Sequence, residues 1–336
     1  MCSDEHKIIL QQTVQYTLPA TNIWRIVRHS AFASILIAVA CGLLVATVAG
    51  FAGDHWWFLE LFAHFRPHYA LVSLLLVIVC IAARNLVSAA VGLLCLVLNS
   101  VPVLAYFSQP PPAYAARGEI VKIVSANIGG GNSADIIAFI REHNPDVVLL
   151  IELTPTILAE LQNSIDSTLP HTFAIPRSDY FGIGLFSRYP LEDRSLLDLG
   201  YRDVPAISVR IVTERAALRL VGVHLEWPMT PATSRGRNTQ LHNLPPALRS
   251  IGEPTVLLGD FNLTRWAPRF GNLLDATGLS DTATGFGWQP TWPTLLPGLG
   301  ITIDHCLASP SLRIRSHRTG PDVGSDHYPL IAEFEL

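Results

Sequence analysis

The chain has 336 residues, of which 49% are hydrophobic and 15% are charged, and its formal net charge at neutral pH is −4. Residues 1–116 hold five of the 23 basic and four of the 27 acidic residues, which leaves residues 117–336 with 18 basic and 23 acidic residues and a net charge of −5. An acidic domain weighs against a non-specific binder of long nucleic acid, because phosphate neutralisation by basic residues supplies most of such affinity. This composition still permits a small basic patch.

The cysteines are concentrated in the first third of the chain. Cys2, Cys41, Cys80 and Cys95 lie there, and Cys306 alone lies beyond it. The C-terminal region therefore has neither a disulfide framework nor a cysteine-based zinc site of its own. Cys306 lies within an apolar run, where it is expected to be a small buried hydrophobic residue.

Three apolar segments occupy residues 31–51, 69–83 and 86–107. The first and third are long enough to span a bilayer as helices, and the second is short but has Arg84 at one end to reach the interface. None shows the polar face of a buried soluble helix. We predict three transmembrane helices. A cleaved signal peptide is the alternative for the first segment, but its basic region would be about 30 residues long, which is too long.

Basic residues predict the orientation of these helices. Arg25 and Arg28 precede the first segment and Arg84 follows the second, whereas Arg66 opposes them on the other side. The positive-inside rule places the N-terminus and Arg84 in the cytoplasm. Three spans then place the C-terminal domain outside it. We predict a multi-pass protein of a bacterial inner membrane with a periplasmic or extracellular domain.

A proline-rich linker, residues 109–116, separates this region from a pattern of alternating strands and helices in residues 117–336. The periodicity predicts helices at 134–142, 156–167 and 238–251. It predicts strands at 119–126, 146–153, 182–187, 206–212, 219–225, 254–260, 301–308, 312–317 and 329–336. Helices mixed with adjacent strand pairs predict a four-layer α/β sandwich, in which two mixed sheets pack together with helices outside.

Polar residues recur where these strands end. They are Asn127, Glu152, His224, Asp260, Asn262, Asp304, Asp326 and His327. Each alone has an ordinary explanation, such as a turn, a helix N-cap or a satisfied core histidine. Together they provide oxygen ligands for a hard cation and a histidine beside a carboxylate to handle a proton, as metal-assisted hydrolysis of a phosphate ester requires.

The ordered motifs resemble those of the endonuclease/exonuclease/phosphatase superfamily, over roughly residues 117–336. The motifs that carry the resemblance are Ser125-Ala126-Asn127, Leu150-Ile151-Glu152, Ser187-Arg188-Tyr189-Pro190, Val223-His224-Leu225 with Arg237-x-x-Gln240, Gly259-Asp260-Phe261-Asn262, Ile303-Asp304-His305 and Ser325-Asp326-His327. Each motif is weak alone, but their order along the chain is specific.

The resemblance implies one or two divalent metals, Mg²⁺ or Mn²⁺, held by Glu152 with Asp326 and Asn127. Magnesium suits such a site because it binds a few carboxylates and keeps positions for water and phosphate oxygens. Two departures from the family pattern, Ala126 and Thr302, concern substrate details and remove no proposed ligand.

The resemblance also implies the catalytic roles. Asp304 would orient and charge-stabilise His327, His224 and Asn262 would contact the phosphate, and Asp260 would position or deprotonate the attacking water. Whether Asp260 or His327 is the base stays open. Trp288 and Trp292 either line the site or, as we favour, pack under a loop.

These observations predict a membrane-anchored, divalent-metal-dependent phosphoesterase. Its substrate would be a small nucleotide, a lipid head group or a nucleic acid fragment, with nucleic acid disfavoured by the acidic charge. A true endonuclease is the alternative enzyme, and an inactive membrane-anchored binding module is the alternative of another class. The oligomeric state stays open.

Overall fold

The computed structural model describes residues 20–110, 118–249 and 251–336. The linker predicted at 109–116 lies mostly outside the described residues.

The N-terminal region is helical. It contains α1 (Ala20–Phe51), α2 (Trp57–Glu60), a 3-10 turn (Leu61–Phe65), α3 (Arg66–Ala82) and α4 (Leu86–Phe107). Three stretches are long and apolar enough to cross a membrane, namely Ser30–Phe51, Trp57–Ala82 and Leu86–Phe107. Inside the bundle, the buried Asn99 amide donates to Thr47 Oγ1 at 2.9 Å, as polar pairs between membrane helices do.

The second apolar helix begins earlier than the 69–83 prediction. Pro67 does not end the helix but lies in the first turn of α3, where the missing N–H has no helical partner to lose. The aromatic residues before it, which the sequence places in a loop, continue the helical path from Trp57.

In the described residues from 118 onward, the C-terminal region contains twelve strands, four α-helices and one 3-10 turn (Pro297–Leu299). The strands are β1 (Ile120–Asn127), β2 (Val147–Ile151), β3 (His171–Ile175), β4 (Ile183–Ser187), β5 (Leu191–Leu197), β6 (Ala206–Val212), β7 (Ala217–His224), β8 (Thr255–Asp260), β9 (Ser280–Asp281), β10 (Asp304–Ala308), β11 (Arg313–Thr319) and β12 (Leu330–Glu335). The helices are α5 (Ser133–His143), α6 (Pro155–Ile165), α7 (Pro231–Arg249) and α8 (Pro268–Thr277).

The strands form two six-stranded sheets, in the orders β11-β12-β1-β2-β4-β3 and β5-β6-β7-β8-β10-β9. Each sheet has one parallel pair, β1 with β2 and β7 with β8, and its other pairs are antiparallel. One apolar core lies between the sheets, with residues such as Leu149 and Leu220 fully buried. Two further cores lie under α5 and α6 on one side and under α7 and α8 on the other. The predicted four-layer sandwich is confirmed.

Several boundaries differ from the predictions for local reasons. Helix α7 begins at Pro231 rather than at 238, because Thr230 Oγ1 accepts from the Thr233 amide at 3.1 Å and caps the helix. Strand β5 is absent from the predictions because it is an edge strand whose central residues are exposed and charged. Strand β10 begins at Asp304, three residues later than the strand predicted at 301–308, so Asp304 is the first residue of the strand and does not lie inside it.

Candidate active site

The two parallel strand pairs bring the polar strand ends to one rim of the sandwich. Asn127 ends β1 and Glu152 directly follows β2 in the first sheet. In the second sheet, Asp260 at the end of β8 pairs in register with His224 on one side and with Asp304 on the other. The carboxyl ends of parallel strands are where open α/β sheets place their ligand sites.

His327 lies between two carboxylates. Its Nδ1 is 2.8 Å from Asp304 Oδ2 and its Nε2 is 3.8 Å from Asp260 Oδ2, and all three side chains are buried. Burial lowers the pKa of His327, but the negative charges of Asp304, Asp260 and Asp326 outweigh this and raise the pKa to about 10. The ring is therefore an imidazolium at neutral pH, with Nδ1–H donated to Asp304 and Nε2–H available to a substrate.

Asp260 has the opposite electrostatic environment. Burial and the neighbouring charge of Asp304 raise the pKa of this carboxyl well above its usual range, against the opposing charge of His327. A carboxylate whose pKa lies closer to neutrality is better matched to accepting a proton from water.

His224 faces Asp260 from the other side, with its Nε2 3.7 Å from Asp260 Oδ2. Burial, together with the charge of His327, lowers the pKa of His224 to about 4, so the ring is neutral. Its Nδ1 donates to the carbonyl of Tyr180 at 3.0 Å, which leaves Nε2 as an acceptor inside the site. Phe181 packs its ring on the imidazole, with the ring centroids 5.3 Å apart.

The Gly259–Asn262 turn depends on an unusual backbone. Gly259 has φ 140°, and a Cβ there would lie 1.9 Å from the carbonyl oxygen of Val223, so no other residue fits. Asn262 has φ 49°, its amide N–H donates to Asp260 Oδ1 at 2.8 Å, and its Nδ2 donates to the carbonyl of Leu225 at 2.9 Å. These bonds fix Asn262 beside the carboxylate.

Asn127 joins the two sheets across the site. Its Nδ2 donates to Glu152 Oε1 at 3.1 Å and to Asp260 Oδ2 at 3.2 Å, while its Oδ1 accepts from the Gly129 amide at 3.0 Å. Asp326 lies at the outer edge, where Trp292 Nε1 donates to its Oδ2 at 3.1 Å. All eight residues chosen from the sequence thus gather at one rim, although their individual roles stay predictions.

The chemistry of this cluster fits a divalent cation. Four carboxylates converge there, and among the described residues no lysine or arginine forms an ion pair with Glu152, Asp260, Asp304 or Asp326. Burial raises the pKa of Glu152, which indicates a carboxylate short of compensating charge. At Gly129 a Cβ would stand 2.4 Å from Glu152 Oε2, so only glycine leaves that carboxylate its position. Oxygen donors without cationic partners suit Mg²⁺ or Mn²⁺.

A second arrangement of possible ligands overlaps with the acid–base residues. One ligand atom each from Asp260, Asp304 and His327 lie within 4.8 Å of one another. Because His327 Nδ1 already donates to Asp304, we regard this buried trio as a hydrogen-bonded acid–base unit and the less buried Glu152 and Asp326 as the cation side.

The structure adds contacts that the sequence did not indicate. The carbonyl of Tyr180 sets the His224 tautomer, and Thr291 Oγ1 accepts from the Asp304 amide at 3.2 Å. No motif marks either residue. Trp292 lines the site at Asp326 and is not only packed under a loop, whereas Trp288 packs against His68 and Phe107 of the helical region.

The chain belongs to the endonuclease/exonuclease/phosphatase family, whose model matches residues 124–327, more than half of the chain. Fold, family and site together define a metal-dependent hydrolase of phosphoric esters. Comparison with curated proteins of known sequence finds no match.

Solved structures share this fold. The chain is similar to D. rerio TDP2 complexed with a single-strand DNA product, with TM-score 0.55 and 19% identity over 65% of this chain and 100% of that one. It is similar to the 3′ phosphatase NExo from Neisseria bound to a product DNA hairpin, with TM-score 0.53 and 21% identity over 64% and 100%. It is also similar to an endonuclease/exonuclease/phosphatase from Beutenbergia cavernae DSM 12333, with TM-score 0.54 and 19% identity over 66% and 72%.

Proposed function

We propose that the chain is a membrane-anchored, divalent-metal-dependent phosphoesterase that hydrolyses phosphomonoesters or phosphodiesters. The observation that carries the proposal is the convergence of Glu152, Asp260, Asp304 and Asp326 around a buried His327, with no lysine or arginine of the described residues paired to any of the four carboxylates. In a family of phosphoester hydrolases, this is the arrangement that binds a phosphate through a cation and moves one proton.

Glu152 and Asp326, with the amide of Asn127, would hold the Mg²⁺ or Mn²⁺. A bound cation supplies neutralisation of the charge that develops on the phosphoryl oxygens. Asn127 also orients Glu152 and Asp260 through its two donated hydrogen bonds, so its loss would disturb both sides of the site.

In this proposal Asp260 accepts a proton from water as the water oxygen bonds to phosphorus. His327, held by Asp304, donates Nε2–H to the phosphoryl group, and Asn262 orients the same group through its side-chain amide. Nε2 of neutral His224 carries no proton, so it accepts a hydrogen bond there, either from the attacking water or from a protonated phosphoryl oxygen. The phosphorus–oxygen bond to the leaving alcohol then breaks and the alcohol leaves with a proton, so one water is consumed per ester cleaved.

The three apolar helices support a multi-pass membrane location by their length and composition. The distribution of Arg25, Arg28 and Arg84 supports a bacterial inner membrane with the catalytic domain on the periplasmic or extracellular side. Contacts between the helical region and the catalytic domain, such as those of Glu60 with Arg237, His64 with Thr264 and Tyr106 with Ala283, lie at the bundle end formed by residues 50–68 and 105–107. This is the outer end in the proposed orientation.

The test uses the purified full chain in detergent with three substrates: a nucleotide monoester, a phospholipid and plasmid DNA. We expect EDTA to abolish hydrolysis and added Mg²⁺ or Mn²⁺ to restore it. Hydrolysis that persists in EDTA would contradict the metal dependence. Preferred cleavage of plasmid DNA would instead support a nuclease, which the DNA products bound to two of the structural neighbours favour as the second candidate.

A further inference from the structure

Exposed hydrophobic side chains of the catalytic domain gather beside the candidate active site. Within the described residues from 118 onward, nine large hydrophobic side chains are exposed, and seven of them lie in loops next to the site. The seven residues are Tyr180, Trp227, Met229, Trp288, Leu295, Leu296 and Leu299. Single exposed hydrophobic residues are ordinary, but a cluster at one rim marks an interaction surface.

The cluster has two parts, one on each side of the site. The aromatic rim consists of Tyr180, Trp227 and Met229, and the rings of Tyr180 and Trp227 are 5.8 Å apart. The Tyr180 carbonyl binds His224, so this rim borders the acid–base side.

The leucine loop consists of residues 293–300 and carries Leu295, Leu296 and Leu299, of which Leu295 is 84% exposed. A bridge between Trp292 and Ile301 closes its base. The Thr294 amide donates to the Asp326 carbonyl at 3.0 Å, and Thr294 Oγ1 donates to the Ser325 carbonyl at 2.9 Å. The leucine loop is therefore attached to the cation side of the site.

The site also lies close to one end of the helix bundle. Buried Glu60, the last residue of α2, pairs with buried Arg237, whose Nη1 donates to the carbonyl of Asn262 at 3.3 Å. His64 Nδ1 is 3.0 Å from Thr264 Oγ1, two residues beyond Asn262.

On the other side of the site, Trp288 lies only four residues before Trp292, which binds Asp326. The ring of Trp288 is 6.4 Å from that of Phe107 and 6.2 Å from that of His68, at the same end of the bundle. A tryptophan at the end of a membrane helix is typical of the interface between bilayer and water.

We propose that the substrate is a phosphoester carried by a membrane lipid, with the aromatic rim and the leucine loop in contact with its apolar part. This inference rests on the phosphoesterase function proposed above. A phosphate site with apolar surfaces on both sides matches an amphiphile. The rings of Tyr180 and Trp227 could also stack on a base, but the three aliphatic side chains of the leucine loop offer a nucleobase no stacking platform. Its position at the bundle end puts the site where lipid phosphates lie.

In the reaction, water oxygen bonds to phosphorus, the phosphorus–oxygen ester bond breaks, and the leaving group takes up a proton. The fragment that carries the alkyl chain stays in the membrane and the other enters the aqueous phase.

The experiment compares two phosphodiesters that differ only in chain length, hexadecyl p-nitrophenyl phosphate and methyl p-nitrophenyl phosphate. The full chain is reconstituted with Mg²⁺ in vesicles of phosphatidylethanolamine and phosphatidylglycerol, and nitrophenolate release is measured. We expect kcat/KM for the hexadecyl ester to exceed that for the methyl ester at least about tenfold, from apolar contact of the chain. A ratio of one or less, or faster cleavage of a single-stranded oligonucleotide, would overturn the lipid proposal alone. Hydrolysis of none of the three would contradict the phosphoesterase function itself.

Substitutions then assign the effect to the loop. Leu295→Ser with Leu296→Ser should reduce the hexadecyl-to-methyl ratio about tenfold, because two apolar contacts are lost. Leu196→Ser is the matched control, since Leu196 is exposed on the edge strand β5, two strands away from β7 and His224, and it should leave the ratio unchanged. An unchanged ratio in the double variant, or an equal fall in the control, would overturn the role of the leucine loop. The ratio is insensitive to the fraction of folded protein, so a folding defect does not imitate the result.

Discussion

The site depends on how single side chains modify one another. His327 stays protonated because Asp304 lies 2.8 Å from its Nδ1, and His224 stays neutral because it is buried beside that positive charge. Two histidines at one rim thus have opposite protonation states, so that His327 offers an N–H donor and His224 an acceptor nitrogen. Sequence motifs identify both residues but not their charge states, because each pKa depends on neighbours from distant strands.

We predict that His327→Ala lowers kcat by about 10²–10⁴-fold, the usual contribution of a positioned proton donor. His317→Asn is the matched control. His317 lies in β11 and is equally buried, but it is hydrogen-bonded to Thr282, away from the rim. The measurement is steady-state turnover per folded protein. Wild-type turnover in His327→Ala would contradict the assigned role.

Two buried histidines outside the site should make stability depend on pH. Burial lowers the pKa of His305 to about 4 and of His317 to about 3. In the unfolded chain these histidines have a pKa of about 6.5, so between pH 6.5 and 4 the unfolded chain binds more protons than the folded chain. The free energy of unfolding is therefore highest above pH 6.5 and falls as the pH decreases. We expect a loss of up to about 3 kcal/mol per histidine.

Thermal melts of the full chain in detergent from pH 7 to pH 4 measure this loss. His317→Gln should flatten the pH dependence of the melting temperature. A wild-type melting temperature that is constant over this range would contradict the predicted effect of His305 and His317 on stability.

At the scale of elements, the two parallel strand pairs explain why the sequence foretold so much of the site. Residues at the ends of β1 and β2, and likewise those at the ends of β7 and β8, come together because parallel strands end on the same side. The packing of the two sheets then brings Asn127 and Glu152 next to His224 and Asp260. Edge strands such as β5 escaped prediction because exposure on both faces removes the alternation of polar and apolar residues.

The contact between the helical region and the catalytic domain was not predictable from sequence. Glu60 and Arg237 are 177 residues apart, and no local pattern marks either as half of a buried pair. Arg269 Nε also lies 3.4 Å from Glu60 Oε1, so one carboxylate of the helical region pairs with two arginines of the domain.

We predict that Glu60→Gln destabilises the full chain by on the order of 3 kcal/mol, because it leaves the buried Arg237 guanidinium without its counter-charge. Asp54→Asn is the control, since the Asp54 contact with Arg269 is made by its backbone carbonyl. Chemical denaturation in detergent reports the difference. Equal stability of the two variants would show that the Glu60 pair does not hold the regions together.

At the scale of the whole molecule, the helical bundle and the catalytic domain share an interface that lies beside the phosphate site. The sequence predicts the spans and the sandwich separately, because hydropathy and strand periodicity are local signals. It does not predict that Glu60 ties the bundle to α7, or that contacts of Thr264 with His64 and of Trp288 with His68 tie it to the loops that follow β8 and precede β10. The helical bundle is therefore a part of the site's surroundings.

The proposed topology predicts that a periplasm-dependent reporter fused after Leu336 is active in a bacterial host. A cytoplasm-dependent reporter at Arg84, between α3 and α4, should be active in the same host. A cytoplasmic signal from the fusion after Leu336 would refute the orientation.

The central claim is that a divalent cation held by the carboxylate rim carries out phosphoester hydrolysis. The most direct test titrates the metal-free full chain with Mn²⁺, measuring bound ion by loss of the free-ion electron paramagnetic resonance signal, and turnover of bis(p-nitrophenyl) phosphate in the same samples. We predict that turnover rises in proportion to bound Mn²⁺, and that Glu152→Gln loses both the binding and the turnover. Turnover that is complete before any ion binds, or binding and turnover that survive in Glu152→Gln, would contradict the account.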